Sequence, residues 1–121
     1  NTRREAQAVQ DAAETLHENF VKRAFQTDSI CQLATASPHP VLVCGDFNSL
    51  PSSYTYHRFS ESLKDGFKTG GHGYMYTYRY GKRMLRIDYA FHSPELECTD
   101  YYSPNLDLCS DHNPVIFTVK Y

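Results

Sequence analysis

The stretch that decides the fold of this chain reads VLVCGDFN and covers residues 41–48. Its first four residues are all apolar and predict a short strand buried on both faces, as in a sheet with layers packed above and below it. Asp46 and Asn48 follow directly, and residues two apart in an extended segment point the same way. We therefore expect both side chains to address one pocket at a strand end, where active sites assemble in layered folds.

Two further polar clusters lie at the ends of predicted strands. Asp88 belongs to RIDY, residues 86–89, inside a segment whose apolar and polar residues alternate with the period of a strand. Asp111 and His112 belong to SDHNP, residues 110–114, and precede a β-branched segment, residues 115–120, that predicts the last strand. A turn explains the first cluster alone, and a surface cap or ion pair explains the third. Neither explains an aspartate in mid-strand, so the combination favours a functional site.

The side chains in these clusters also indicate which metal to expect. Aspartate oxygens suit hard cations such as Mg²⁺ or Mn²⁺, whereas the sequence contains neither the C-x-x-C pair nor the H-E-x-x-H motif of zinc sites. A carboxylate that accepts one ring N–H of a histidine fixes the ring and leaves its other nitrogen to address a substrate. We expect Asp88 to orient His112 in this way.

Taken in this order and at this spacing, the three segments GDFN (residues 45–48), RIDY and SDH-x-P resemble the C-terminal signature motifs of the endonuclease/exonuclease/phosphatase family. The resemblance spans roughly residues 40–119, and three motifs together are far more specific than any one of them. It implies a divalent-metal-dependent phosphoesterase that hydrolyses a phosphodiester, with nucleic acid as the default substrate.

The resemblance also implies a role for each matching residue. Asp46 would help to activate the attacking water, and Asn48 would hold the scissile phosphate. Asp88 would pair with His112, whose ring would contact the phosphate and stabilise the charge that develops in the transition state. These four are the implied catalytic residues. The implied ligands of Mg²⁺ or Mn²⁺ are Asp46, Asn48, Asp111 and His112.

The fold that the resemblance implies is a four-layer α/β/β/α sandwich, of which residues 1–121 would be the C-terminal half. We expect this half to be of the α/β (α+β) class, with one mixed, mostly antiparallel sheet backed by helices. The family's N-terminal half supplies an asparagine, a glutamate that is the principal metal ligand, and a tyrosine or histidine. Because none of these precedes Thr2, we expect a fragment with little or no activity.

Two kinds of partner follow from a missing half. The inner face of the sheet would expose apolar surface, so we expect either the N-terminal half of the same domain or a second copy of the chain to cover it. The alternative to an enzyme is a catalytically dead family member or fragment that acts as a binding or assembly module. Metal-dependent turnover by the full-length protein would separate these alternatives.

The first 26 residues predict an amphipathic helix with one buried face. Apolar residues recur there at spacings of three and four, and Thr2 with Glu5 forms a capping box at its start. The buried face would contain Ala6, Val9, Ala13, Leu16, Phe20 and Ala24.

The remaining elements are shorter. We expect a helix from residue 51 to about residue 59, a turn at residues 64–66, a glycine-rich loop at residues 69–73 and a possible strand at residues 97–102. The aromatic segment at residues 74–80 is predicted as a loop or an edge strand. With Arg79, Lys82, Arg83 and Arg86 it would either stack bases and meet phosphates or form an aromatic strand beside a solvated basic turn.

The composition is that of one soluble globular domain. Of 121 residues, 40% are hydrophobic and 21% charged, and the formal net charge of −2 excludes a broadly basic nucleic-acid surface. No stretch reaches the roughly 18 apolar residues of a membrane span. The remaining histidines match no motif, and we interpret them as surface or packing residues. The four widely spaced cysteines are predicted as buried free thiols, although two disulfides stay possible, and the compartment stays open.

Overall fold

A computed structural model of the chain describes residues 2–73, 75–80, 83–105 and 110–121. Within them, helices and strands follow one another along the whole chain. In order they are α1 (Thr2–Ala36), β1 (Leu42–Asp46), α2 (Tyr54–Ser60), β2 (Lys64–Asp65), α3 (Gly66–Gly70), β3 (Tyr78–Tyr80), β4 (Arg83–Leu85), β5 (Asp88–His92), β6 (Glu97–Tyr102) and β7 (Ile116–Lys120).

The strands pair into three antiparallel sheets. One has the order β1-β5-β2, and the other two are the pairs β3-β4 and β6-β7. The predicted fold class, helices combined with a mostly antiparallel sheet, is confirmed, and every strand pair among the described residues is antiparallel. Where we expected one sheet, the described strands are divided among three.

Helix α1 differs from its prediction in length and in burial. It ends at Ala36 instead of about residue 26, because no helix breaker occurs before Pro38, which also disfavours helix at the residue preceding it. The predicted buried face is wrong over most of its length, since Val9 and Leu16 are each 70% exposed. Burial needs an opposing surface, and the contacts of α1 with helix α2 lie in the C-terminal half of α1, from Phe20 onward. The buried residues of α1 are Thr27 and Cys31.

Strand β1 is also more exposed than we predicted. We expected it to be buried on both faces, but Leu42 is 46% exposed and Cys44 is exposed as well. The physical reason is its position at the edge of the three-stranded sheet, where only β5 pairs with it among the described strands. The apolar run therefore predicted the strand correctly and its environment wrongly.

Strand β5 lies between two hydrophobic clusters and contributes to both. Tyr89 and Phe91 point into a cluster of aromatic rings from α2, against which Phe47 packs. Ala90 points the other way, into a second cluster that includes Tyr101. The alternation of side chains along a strand thus fixes β5 from both faces. Its first residue, Asp88, is held at the rim of this core.

The shorter elements follow the sequence closely. Helix α2 begins after the N-cap Ser53, and β6 has the predicted bounds. The predicted turn at residues 64–66 contains β2 and the N-cap of α3, Asp65, whose side chain accepts a hydrogen bond from the Phe67 amide. Of the aromatic segment, Tyr78–Tyr80 forms β3 and Tyr74 lies outside the described residues.

The described cysteines are free thiols as predicted, but not all of them are buried. Cys31, Cys44 and Cys98 carry free thiols, but Cys44 is exposed and not buried, and Cys109 lies outside the described residues. Within the described residues, no helix has both the length and the apolar character that crossing a membrane requires.

Candidate active site

The end of β1 forms a tight turn that presents two of the predicted residues. Asp46 ends the strand, and its carboxylate Oδ1 accepts a hydrogen bond from the Asn48 amide at 2.9 Å. Asn48 has a positive φ of 48°, a conformation that asparagine tolerates better than most residues. The backbone is therefore turned here and not extended as we had assumed. Both side chains nevertheless line one cavity of about 430 Å³ between α1 and β1.

Strand pairing places the second aspartate beside the first. Asp46 and Asp88 are direct partners in the β1-β5 register, and the Phe47 amide donates to the Ile87 carbonyl at 2.9 Å. Asp88 begins β5 rather than lying in its middle. Because strand partners lie about 5 Å apart, two carboxylates that are 42 positions apart in sequence meet at one sheet edge.

His112 completes the group from a third segment. Its ring nitrogen Nδ1 lies 2.9 Å from Asp88 Oδ2, and Nε2 lies 3.6 Å from Asp46 Oδ2. An isolated bridge between Tyr78 and His112 holds the backbone, and the two rings approach to 5.0 Å between centroids. The ring therefore lies between the two carboxylates, with Asp88 at the shorter distance.

The surroundings of His112 favour its charged form. The hydrogen bond to Asp88 raises the pKa of the imidazole above its ordinary value, although partial burial opposes this shift. The negative charges of Asp88, Asp46 and Asp111 raise the pKa further. The histidine is therefore protonated over a wider pH range than a free imidazole.

Three of the predicted site residues form a compact group of possible metal ligands. Asp46, Asp88 and His112 each offer one ligand atom, and these atoms lie within 4.8 Å of one another. Asn48 lies next to this group, because its backbone amide donates to the Asp46 carboxylate. The side chain of Asp111 is exposed and is not part of the group. We had predicted Asp88 as a residue that orients His112, and the structure also places it where a ligand would lie.

Two residues next to the site were not singled out from the sequence. Thr77 is completely buried between the segments that carry Asp88 and His112. Asn113, the unassigned position of the third motif, is 4% exposed, and it lines a cavity of about 280 Å³ together with Asp46 and Asp88. Its Nδ2 donates to the Tyr76 carbonyl at 3.4 Å, while Oδ1 has no hydrogen-bond partner among the described residues. Only its place between His112 and a proline marked it in the sequence.

Comparison with known proteins confirms the family resemblance drawn from the three motifs. Residues 14–112 match the sequence model of the Endonuclease/Exonuclease/phosphatase family. The search of curated proteins found no match.

Several solved structures share the fold. An endonuclease/exonuclease/phosphatase from Bacteroides vulgatus is 26% identical with a TM-score of 0.71, and the match covers 81% of this chain and 43% of that one. A functionally unknown conserved protein from Enterococcus faecalis is 21% identical (TM-score 0.66), with coverages of 81% and 44%. A mannosyl-6-phosphatase from Bacteroides thetaiotaomicron is 23% identical (TM-score 0.58), again with coverages of 81% and 44%. The matched part of this chain thus covers less than half the length of each of these proteins.

Proposed function

This chain belongs to the endonuclease/exonuclease/phosphatase family, and from that premise we propose that it carries part of the active site of a divalent-metal-dependent phosphoesterase. One observation above all supports the proposal: Asp46, Asp88 and His112 converge from three separate segments, with His112 at 2.9 Å from Asp88 and 3.6 Å from Asp46. Strand register holds the two aspartates together, and a bridge to Tyr78 holds the backbone of His112 beside them. A histidine this close to two carboxylates suits the transfer of protons at a phosphate ester.

The two ring nitrogens of His112 have different roles in the proposed chemistry. Nδ1–H donates to Asp88, so Nε2–H is directed to the side where Asp46 lies and where a phosphoryl oxygen would accept it. Asp46 uses Oδ1 for its turn with Asn48, and its Oδ2 faces the histidine, where it would take a proton from the attacking water. The side-chain amide nitrogen of Asn48 would donate to a second phosphate oxygen.

The donor set fits a hard divalent cation. Carboxylate and amide oxygens suit Mg²⁺ or Mn²⁺. We propose Asp46 and His112 as ligands from the compact group, with Asp88 available beside them, and Asn48 and Asp111 as further ligands from the motifs. When bound, the cation supplies positive charge for the phosphate oxygens. A protonated ring cannot coordinate a metal, so His112 would act at any one time either as a ligand or as a donor to the phosphate.

Nucleic acid is the default substrate of this proposal, and a phosphomonoester is the competing class. The Tyr78 ring next to His112 offers a surface on which a base or a sugar can stack. The similarity to a mannosyl-6-phosphatase reflects the shared fold, and it makes a sugar phosphate the natural comparison substrate. Hydrolysis of a single-stranded oligonucleotide and of mannose 6-phosphate, measured side by side, separates the two classes.

The second candidate function is a catalytically inactive binding or assembly module. It is favoured by the exposed apolar side chains of α1, among which Val9 and Leu16 are each 70% exposed. We propose that further polypeptide completes the site, either the other half of the same domain or a second copy of the chain. Two surfaces are available for that contact: the edge of β1 at which no described strand pairs, and the exposed apolar residues of α1. A strictly monomeric sedimentation profile at high concentration would count against the second copy.

The test of the proposal is hydrolysis of bis-p-nitrophenyl phosphate with Mg²⁺ or Mn²⁺ by the full-length protein that contains this chain. The matched control for His112→Ala is His39→Ala, because His39 is exposed and outside the site. We expect the wild type and His39→Ala to hydrolyse the substrate at similar rates and His112→Ala to lose roughly a hundredfold or more. Equal rates for the two variants would contradict the catalytic role of His112. No hydrolysis by the wild type would favour the binding module.

A further inference from the structure

Thr77 is a buried polar residue whose contacts are not explained by packing alone. Its side chain is 0% exposed, in a segment whose neighbours are aromatic. Buried hydroxyl groups are normally hydrogen-bonded, and the question is which groups they hold. Here the partners are main-chain amides at the start of β5, beside the proposed site.

The hydroxyl group of Thr77 supports the residue that carries the carboxylate. Its Oγ1 accepts hydrogen bonds from the Ile87 amide and the Asp88 amide, each at 3.1 Å. A hydroxyl oxygen has two lone pairs, so one side chain satisfies both donors. The backbone of Asp88 is thereby fixed by a side chain from another segment, in addition to its pairing with Asp46 on β1.

The main chain of Thr77 holds the segment that carries the histidine. Its carbonyl accepts a hydrogen bond from the Asn113 amide at 2.6 Å, directly after His112. Two residues further along, the Arg79 amide donates to the Asp111 carbonyl at 2.8 Å. The same short segment is therefore bonded on one side to Asp88 and on the other side to both neighbours of His112.

We propose that Thr77 is a positioning residue that sets the separation of Asp88 and His112, an inference that rests on the phosphoesterase function proposed above. It touches neither substrate nor metal, and it acts through the two main chains that it joins. A shift of about 1 Å between reacting groups can cost a hundredfold in rate, so loss of this link acts on kcat and much less on substrate binding.

Three substitutions separate positioning from general stability. Thr77→Val keeps the shape of the side chain but removes the acceptor, whereas Thr77→Ser keeps the acceptor. Thr69→Val is the matched control, because the Thr69 hydroxyl lies 3.0 Å from His92 Nε2 and supports β5 at its opposite end. In the full-length protein we expect Thr77→Val to lower kcat at least about tenfold with KM changed less than about threefold. Thr77→Ser and Thr69→Val should stay within about threefold of wild type in both constants.

The proposal is overturned if Thr77→Val keeps its kcat, if folded Thr77→Ser loses as much as Thr77→Val, or if Thr69→Val loses as much as either. Should the valine variant fail to fold, Thr77→Ser decides alone, because a folded serine variant with a tenfold lower kcat refutes a role for the hydroxyl group.

Amide hydrogen exchange in the 121-residue chain gives a readout that does not depend on turnover. We expect the Asp88 amide to be protected in wild type and in Thr77→Ser, and to exchange at least about tenfold faster in Thr77→Val than in Thr69→Val. An unprotected Asp88 amide in wild type would overturn the positioning role. If the full-length protein hydrolyses no phosphate ester while this exchange pattern holds, the proposed function fails and the link between Thr77 and Asp88 stands.

Discussion

The buried ion pair between Asp65 and Arg86 gives the sharpest prediction for stability. Asp65 Oδ2 accepts from the Arg86 guanidinium at 2.8 Å and from the Tyr56 hydroxyl at 2.7 Å, while Oδ1 accepts from the Phe67 amide at 3.0 Å. The Asp65 side chain is 2% exposed and that of Arg86 is 9% exposed. Asparagine in place of Asp65 keeps the helix cap through Oδ1, but an NH₂ group then stands at the position of Oδ2. Arg86 loses its charged acceptor, and the Tyr56 hydroxyl loses its hydrogen-bond acceptor.

The expected effect is large because a charge is left buried without its partner. Breaking one side of a buried pair costs about 3–5 kcal/mol, a substantial share of the roughly 5–15 kcal/mol that holds a domain folded. With a urea slope of about 2 kcal/mol/M, the unfolding midpoint of Asp65→Asn should fall by about 2 M. Urea unfolding followed by circular dichroism measures this shift.

The control for this experiment is a pair of the same chemistry near the surface. Asp28 accepts from Arg58 Nε at 3.2 Å, but its side chain is 43% exposed, so Asp28→Asn should cost only about 0–1 kcal/mol. If the losses in free energy of unfolding of Asp65→Asn and Asp28→Asn differ by less than about 1 kcal/mol, the pair does not anchor Arg86, and the reasoning from burial is refuted.

Three further predictions concern the candidate site. The pKa of His112 should lie above about 6.5 and fall toward that value in Asp88→Asn, as measured by NMR titration. Because the folded-state pKa is the higher one, this histidine stabilises the fold fully below pH of about 6.5, and the stabilisation is lost as pH rises through the raised pKa. Mn²⁺ at a hundred times its dissociation constant should stabilise the chain by about 2.7 kcal/mol in a thermal unfolding assay, an effect that Asp46→Ala removes and that dialysis against a chelator reverses. In the full-length protein, alanine at Asp46, Asp88 or His112 should abolish turnover while the free energy of unfolding changes by less than about 1 kcal/mol.

Local patterns in the sequence predicted most of the elements of this fold. The capping serine before α2, the alternation in the segment that contains β5 and the β-branched residues of β7 all act over a few positions, so their consequences can be inferred without the tertiary structure. Burial could not be inferred in this way. The stripe that contains Val9 and Leu16 has the helical period, but whether it is covered depends on surfaces elsewhere in the fold.

The sequence predicted the chemistry of the candidate site but not the residues that position its side chains. The motifs that contain Asp46, Asp88 and His112 indicated acid–base and metal chemistry because their residue types suit it. Thr77 could not be found, since a threonine in the aromatic segment at residues 74–80 is unremarkable until its hydroxyl group is seen to accept from the Asp88 amide. Contacts between positions that are distant in sequence leave little trace in a single sequence.

The measurement that tests the central claim most directly is kcat of the full-length protein carrying Asp88→Asn, with bis-p-nitrophenyl phosphate and Mg²⁺ or Mn²⁺. Asparagine fits the same space but no longer offers His112 Nδ1–H a charged acceptor. If Asp88 orients and charges His112, kcat falls roughly a hundredfold or more, while Asp28→Asn stays within about twofold of wild type. A wild-type kcat in Asp88→Asn would contradict the claim that Asp46, Asp88 and His112 form one hydrolytic site.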